Sequence, residues 1–79
     1  MSLEDKIKGV FKQVLDISPE EIKPSEQLDT SLGMDSTEMV EIVVALKKEF
    51  GVQLADNEIK KTNSLNQIVD ILKSKGASA

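Results

Sequence analysis

The chain has no cysteine and no histidine among its 79 residues. Without cysteine there can be no disulfide framework and no thiolate nucleophile. Without histidine, the usual general base for a serine hydroxyl is also missing. Aromatics are nearly absent, with only Phe11 and Phe50. The core therefore has to be built from Leu, Ile and Val. There are two prolines, Pro19 and Pro24, both in one segment. No stretch approaches the roughly 18 apolar residues of a membrane span. The opening Met1–Lys8 lacks the apolar centre of a secretory signal. A cytoplasmic protein with no membrane span is expected.

A chain this short makes one domain at most, expected over 1–79 with order from about 3 to 75 and a frayed tail over 76–79. It buries only about 60% of the surface its unfolded form exposes, so nearly every large aliphatic is needed inside.

The formal charge is −4, unevenly spread. From Asp16 to Glu41 there are eight acids and one lysine, a local net of −7. The remainder holds six acids and nine lysines, a net of +3. A basic patch of the kind that binds nucleic acid is not apparent. An acidic stretch suits either a basic partner protein or an ordinary solvated surface.

What is present is helical periodicity. Leu3, Ile7, Val10, Phe11, Val14 and Leu15 share one face, with Ser2 as a cap, which predicts a helix over about 3–16. Residues 17–35 form a long connection broken by its prolines, with one helical turn at the Ser18–Glu21 capping box. Ile17, Ile22, Leu28 and Leu32 are spaced to pin it to the core. The next helix starts at Asp35, with Glu38 completing a second capping box, and ends at Gly51. Met39, Ile42, Val43, Leu46 and Phe50 make its stripe. Val44 points nearly opposite, with Thr37, Glu41 and Lys48 near it, and Val40 lies on the flank. A lone exposed valine is common; a small apolar contact rimmed by charge is the alternative. A short helix capped by Asp56, with Ile59 inward beside Leu54, is expected next. A last helix carries Leu65, Ile68, Val69 and Leu72 on one face and stops at Gly76. No segment alternates as a half-buried strand does. The fold class is all-α: a small bundle of three main helices and one short one, with a long loop between the first two.

Ser36 is the residue of chemical interest. It follows a long loop at a helix start, where a serine is a nucleophile, a modification site or simply a cap. No base is apparent, and no glycine-rich phosphate loop is present. Glu38 and Glu41 are spaced like metal ligands but fit a solvated face better. An autonomous enzyme is not expected. A phosphate-linked group at a helix N-terminus would gain roughly 0.3–1 kcal/mol from the dipole and free N–H groups.

The segment Leu32–Val52, LGMDSTEMVEIVVALKKEFGV, resembles the signature of the acyl carrier protein family. Gly33, Asp35 and Ser36 stand where that family has Gly-x-Asp-Ser. Val40, Glu41, Ile42, Val43, Ala45, Leu46, Glu49 and Phe50 continue the pattern. The flanks VLDISPEEIKPSEQL and L-x-D-x-E-I match as well. The resemblance implies that Ser36, preceded by Asp35, carries a 4′-phosphopantetheine arm attached by a phosphopantetheinyl transferase. The arm's thiol would hold an acyl chain as a thioester, for acyl-transferring and chain-elongating enzymes of fatty-acid or specialised lipid synthesis. The carrier is expected to be a monomer with no metal and no catalytic residues. The implied partner face is Thr37, Glu38, Val40, Glu41, Val44, Lys47 and Lys48. The implied acyl pocket is Val43, Leu46, Phe50, Leu54, Ile59 and Ile68. Thr37 departs from the family's usual leucine, and Lys47 and Lys48 stand where many fatty-acid carriers have acids, which points to a dedicated pathway. The alternatives are an aminoacyl, peptidyl or polyketide carrier, or a helical interaction module that is never modified.

Overall fold

Helix α1, Leu3–Leu15, begins where the Ser2 side chain accepts the Asp5 N–H at 3.1 Å, with Glu4 and Asp5 in the first turn. The computed structural model describes residues 2–55 and 57–78. Leu3, Ile7, Val10 and Phe11 are the buried face of α1. The helix ends on Asp16, which takes a left-handed φ of 57°. Its N–H donates to the Lys12 carbonyl at 3.0 Å, and its carboxylate accepts from Lys12 Nζ at 2.7 Å. This local ion pair accompanies a conformation that normally favours glycine.

The connection that follows is well anchored. Pro19–Glu21 forms a single 3₁₀ turn, with the Ser18 N–H donating to Glu21 Oε2 at 2.8 Å. A second helix, α2, spans Leu28–Leu32. Gly33 closes it at φ 68°, and its N–H donates to the Leu28 carbonyl. The apolar residue just beyond, Met34, is buried, as the hydrophobic contact of such a C-terminal motif requires. Leu28 donates its N–H to the Asn63 carbonyl at 3.0 Å and Asp29 to Lys61 at 2.9 Å. Gln27 pairs with Ser64 in an isolated antiparallel bridge, and the Asn66 N–H reaches the Pro24 carbonyl at 3.0 Å.

Helix α3, Ser36–Phe50, buries Met39, Ile42, Val43 and Leu46 and ends on Gly51 at φ 64°. Helix α4, Leu65–Ser74, is capped by Ser64, which accepts from the Gln67 N–H at 3.3 Å, and buries Leu65, Ile68 and Leu72. Beyond it Gly76 takes φ 89°, and the Ala77 N–H turns back to the Leu72 carbonyl at 3.0 Å. Ala77 packs half-buried on the core.

The all-α bundle expected from periodicity is the observed class, with α1, α3 and α4 as the three long helices. The short helix is misplaced in the sequence reading. It is α2, inside the supposed loop, whereas residues 57–59 form a turn. The cap assigned to Asp56 lies outside the described residues. In that turn the Ala55 N–H donates to Glu58 Oε1 at 2.8 Å, and Lys75 Nζ meets Glu58 Oε2 at 2.7 Å. α1 packs on both α3 and α4. Phe11, Ile7, Leu28, Ile42, Leu46, Leu65, Ile68 and Leu72 are completely enclosed. Burying such a side chain is worth about 1.5–3 kcal/mol against leaving it in water.

Candidate functional site

The site is built by the ending of one helix and the start of the next. Gly33 turns the chain, Met34 anchors it in the core, and Asp35 takes extended backbone angles as the cap of α3. The Glu38 N–H donates to Asp35 Oδ1 at 2.8 Å, and the Asp35 N–H donates to Glu38 Oε1 at 3.1 Å. This box leaves Ser36 with no capping duty. It is the first residue of α3, it is exposed, and no side-chain hydrogen bond holds it among the described residues. The N–H groups of Ser36 and Thr37 are two of those that a helix start leaves without an intrahelical partner. The two nearest carboxylates each accept a backbone N–H, so neither is idle beside the hydroxyl.

An open apolar cleft of about 560 Å³ starts at Ser36. Met39, Val40, Val43, Val44 and Lys47 line it from α3. Ile59, Lys60, Lys61 and Thr62 contribute the opposite wall, together with Asn57.

Of the expected partner residues, Val40, Val44 and Lys47 line this cleft, whereas Thr37, Glu38, Glu41 and Lys48 do not. Val40 and Val44 are 63% and 44% exposed, the two large hydrophobics of the described chain left most open to water. Thr37, Glu41 and Lys48 are exposed, while Glu38 and Lys47 are half-buried. Glu38 has a structural task in the capping box.

The residues assigned to an acyl pocket separate into groups. Val43 and Ile59 line the cleft. Leu46, Leu54 and Ile68 are core side chains that do not line it. Phe50 is half-buried at the other end of α3, with Lys6 Nζ 5.4 Å from its ring centroid. Sequence reasoning gave no pocket role to Met39, Lys60 or Lys61. The helical stripe placed Met39 inward without showing that it borders an opening, and the wall over 57–62 follows no regular period.

The family model described as a phosphopantetheine attachment site matches residues 5–72. The acyl carrier protein of Nitratidesulfovibrio vulgaris strain DP4 is 33% identical over 75 residues, covering 95% of this chain and 99% of that one. That of the Miyazaki F strain is 32% identical over 75 residues, covering 95% and 99%. The mitochondrial acyl carrier protein 2 of Arabidopsis thaliana is 36% identical over 70 residues, covering 89% of this chain and 56% of that one. The chain belongs to the acyl carrier protein family.

Its function is that of an acyl carrier, with 4′-phosphopantetheine as the covalent group. The residues around Ser36 fit such a group. The hydroxyl is open to a modifying enzyme, free helix-start amides lie beside it for a phosphate, and an apolar cleft adjoins it for what the arm bears. No described helix of the carrier is long and apolar enough to cross a membrane.

Proposed function

We propose that Ser36 is the attachment point of the arm, and that the carrier presents acyl thioesters from it to enzymes of fatty-acid or specialised lipid synthesis. The observation that carries this reading is the exposed Ser36 at the mouth of the apolar cleft, relieved of capping by Asp35 and Glu38. When bound, the arm supplies the thiol that forms the thioester. The carrier's own residues hold and orient it. The free N–H groups of Ser36 and Thr37 favour its phosphate. Met39, Val43 and Ile59 offer apolar contact to the acyl chain. No described side chain hydrogen-bonds the Ser36 hydroxyl, and a carboxylate of ordinary pKa is a weak base for it, so the base that accepts the Ser36 proton is assigned to the phosphopantetheinyl transferase. The carrier has no catalytic role of its own.

The partner face is Thr37, Glu41, Val40 and Val44, with Glu38 contributing mainly through the cap. The exposure of both valines beside Glu41 supports it. A small apolar contact with charge at its edge is a common way to combine affinity with steering. Thr37, Lys47 and Lys48 give the face a character of its own and suit a dedicated partner set.

The test is intact mass after incubation with coenzyme A and a broad-specificity phosphopantetheinyl transferase. Wild type gains one arm and Ser36→Ala gains none. Equal modification of Ser36→Ala overturns the assignment. An unmodified wild type favours a binding module that uses the fold without the arm.

A further inference from the structure

We propose that the acyl group carried on Ser36 ends in a carboxylate, held by Lys47, Lys60 and Lys61 at the rim of the cleft. The inference rests on Ser36 as the attachment point and names the class of cargo. Its basis is a reversal of sign. The protein as a whole carries −4, yet the described residues lining its apolar cleft include three lysines and no carboxylate. None of the three is ion-paired among the described residues. Glu58, close by in sequence, is taken up by Lys75 and by the Ala55 N–H.

Local structure explains only part of this. Lys47 lies in the last turn of α3, where a cation complements the helix dipole. Lys60 and Lys61 belong to no helix. Their position is fixed by backbone bonds instead, since the Lys61 carbonyl accepts from Asp29 and the Lys60 carbonyl from Asn63. Lysine can lie along apolar surface and extend its ammonium to the edge. An apolar lining of Met39, Val43 and Ile59, edged by the exposed Val40 and Val44 and joined by three lysines, is matched by an aliphatic chain with an anionic end. The cleft follows α3 from Ser36 to Lys47, about 16 Å along the axis. A purely hydrocarbon end would gain nothing from the cations.

The arm's own phosphodiester is a second anion near this cleft, so the experiment has to separate the two. Wild type is loaded by the transferase into three forms, each verified by mass. These are the arm alone, a saturated acyl chain with a methyl end, and a chain of the same length with a terminal carboxylate. Thermal unfolding is followed at low salt and at about 0.5 M salt, where charge interactions are screened within a few ångströms. The expected result is that the carboxylate-ended form melts a few degrees above the methyl-ended form at low salt. The gap closes at high salt and in the triple variant Lys47→Gln, Lys60→Gln, Lys61→Gln, each loaded form of which is again verified by mass before melting. Equal melting of the two acyl forms overturns the proposal, as does a gap that survives in the triple variant. A lysine-dependent shift already complete with the arm alone assigns the cations to the phosphodiester and also overturns it. So does equal melting combined with slower acyl transfer by the triple variant, which assigns them to an acidic partner surface. Failure of the attachment reading looks different, because no form then gains mass.

Discussion

Asp35 and Glu38 clasp each other's backbone across Ser36, at 2.8 and 3.1 Å, and so leave the serine between them unbonded. A serine at a helix start usually earns its place as a cap. Here the aspartate before it does that work, and the hydroxyl is left without a capping bond.

Ser36→Ala should therefore leave stability within about 0.5 kcal/mol of wild type, as for an exposed residue with no cap to lose. It should accept no arm. Urea unfolding and intact mass, measured on the same preparation, check both halves.

Asp35→Ala should behave in the opposite way. Loss of this cap should cost about 0.5–2 kcal/mol, and Asp35→Asn should recover most of it. Arm transfer to Ser36 should slow in Asp35→Ala, because the helix start that fixes the serine frays. Transfer rates that track stability across the pair would support this, and an unchanged rate in a destabilised Asp35→Ala would refute it.

Leu46 is completely buried. Leu46→Ala should lose roughly 2–5 kcal/mol, a large share of what a small domain has. A loss under about 0.5 kcal/mol in denaturant titration would contradict its place in the core.

The partner face should show in rates. Glu41→Lys and Val44→Asp should slow arm and acyl transfer at low salt without altering stability, because both residues are exposed. The Glu41→Lys effect should fade as salt screens it. The Val44→Asp effect should persist in part, since lost apolar contact is not screened. Rates equal to wild type at low salt for both would rule out this face.

Glu58 predicts a pH dependence. The Lys75 hydrogen bond first, and then the Ala55 N–H, hold its carboxyl below its ordinary value of 4.5. A depressed folded-state value stabilises above the unfolded value and loses that stabilisation as pH falls through the folded one. Glu58→Gln should thus be less stable than wild type at neutral pH, and the difference should shrink below about pH 4.5. A gap that stays constant down to acid unfolding would dissociate the pair from stability.

The parts legible in the sequence are those written in short-range code. The Asp35–Glu38 and Ser64–Gln67 boxes and the stripes through Ile42 and Ile68 each depend on residues three or four apart. Helix α2 is not of that kind. Its five residues are too few to be stable alone, and they are ordered by bonds from Leu28 and Asp29 to residues more than thirty positions away. The turn at 57–59 shows the converse. A cap-and-aliphatic pattern suggested a helix there, but Glu58 is engaged by Lys75 at the end of α4. Most of the cleft's far wall was illegible for the same reason, although Val43 and Ile59 were expected to line a pocket. One wall is periodic and was read correctly as a helix face, while the other acquires its place only from tertiary bonds.

Those bonds have a mechanical consequence. The Asn63 and Lys61 carbonyls that receive the Leu28 and Asp29 amides sit on the same strip that supplies Lys60, Lys61 and Thr62 to the cleft. Swinging that strip outward either drags along the approach to Ser36 or unzips two rungs at once. Widening the groove on that side would expose both bonds together, so amide exchange at Leu28 and Asp29 would report its opening.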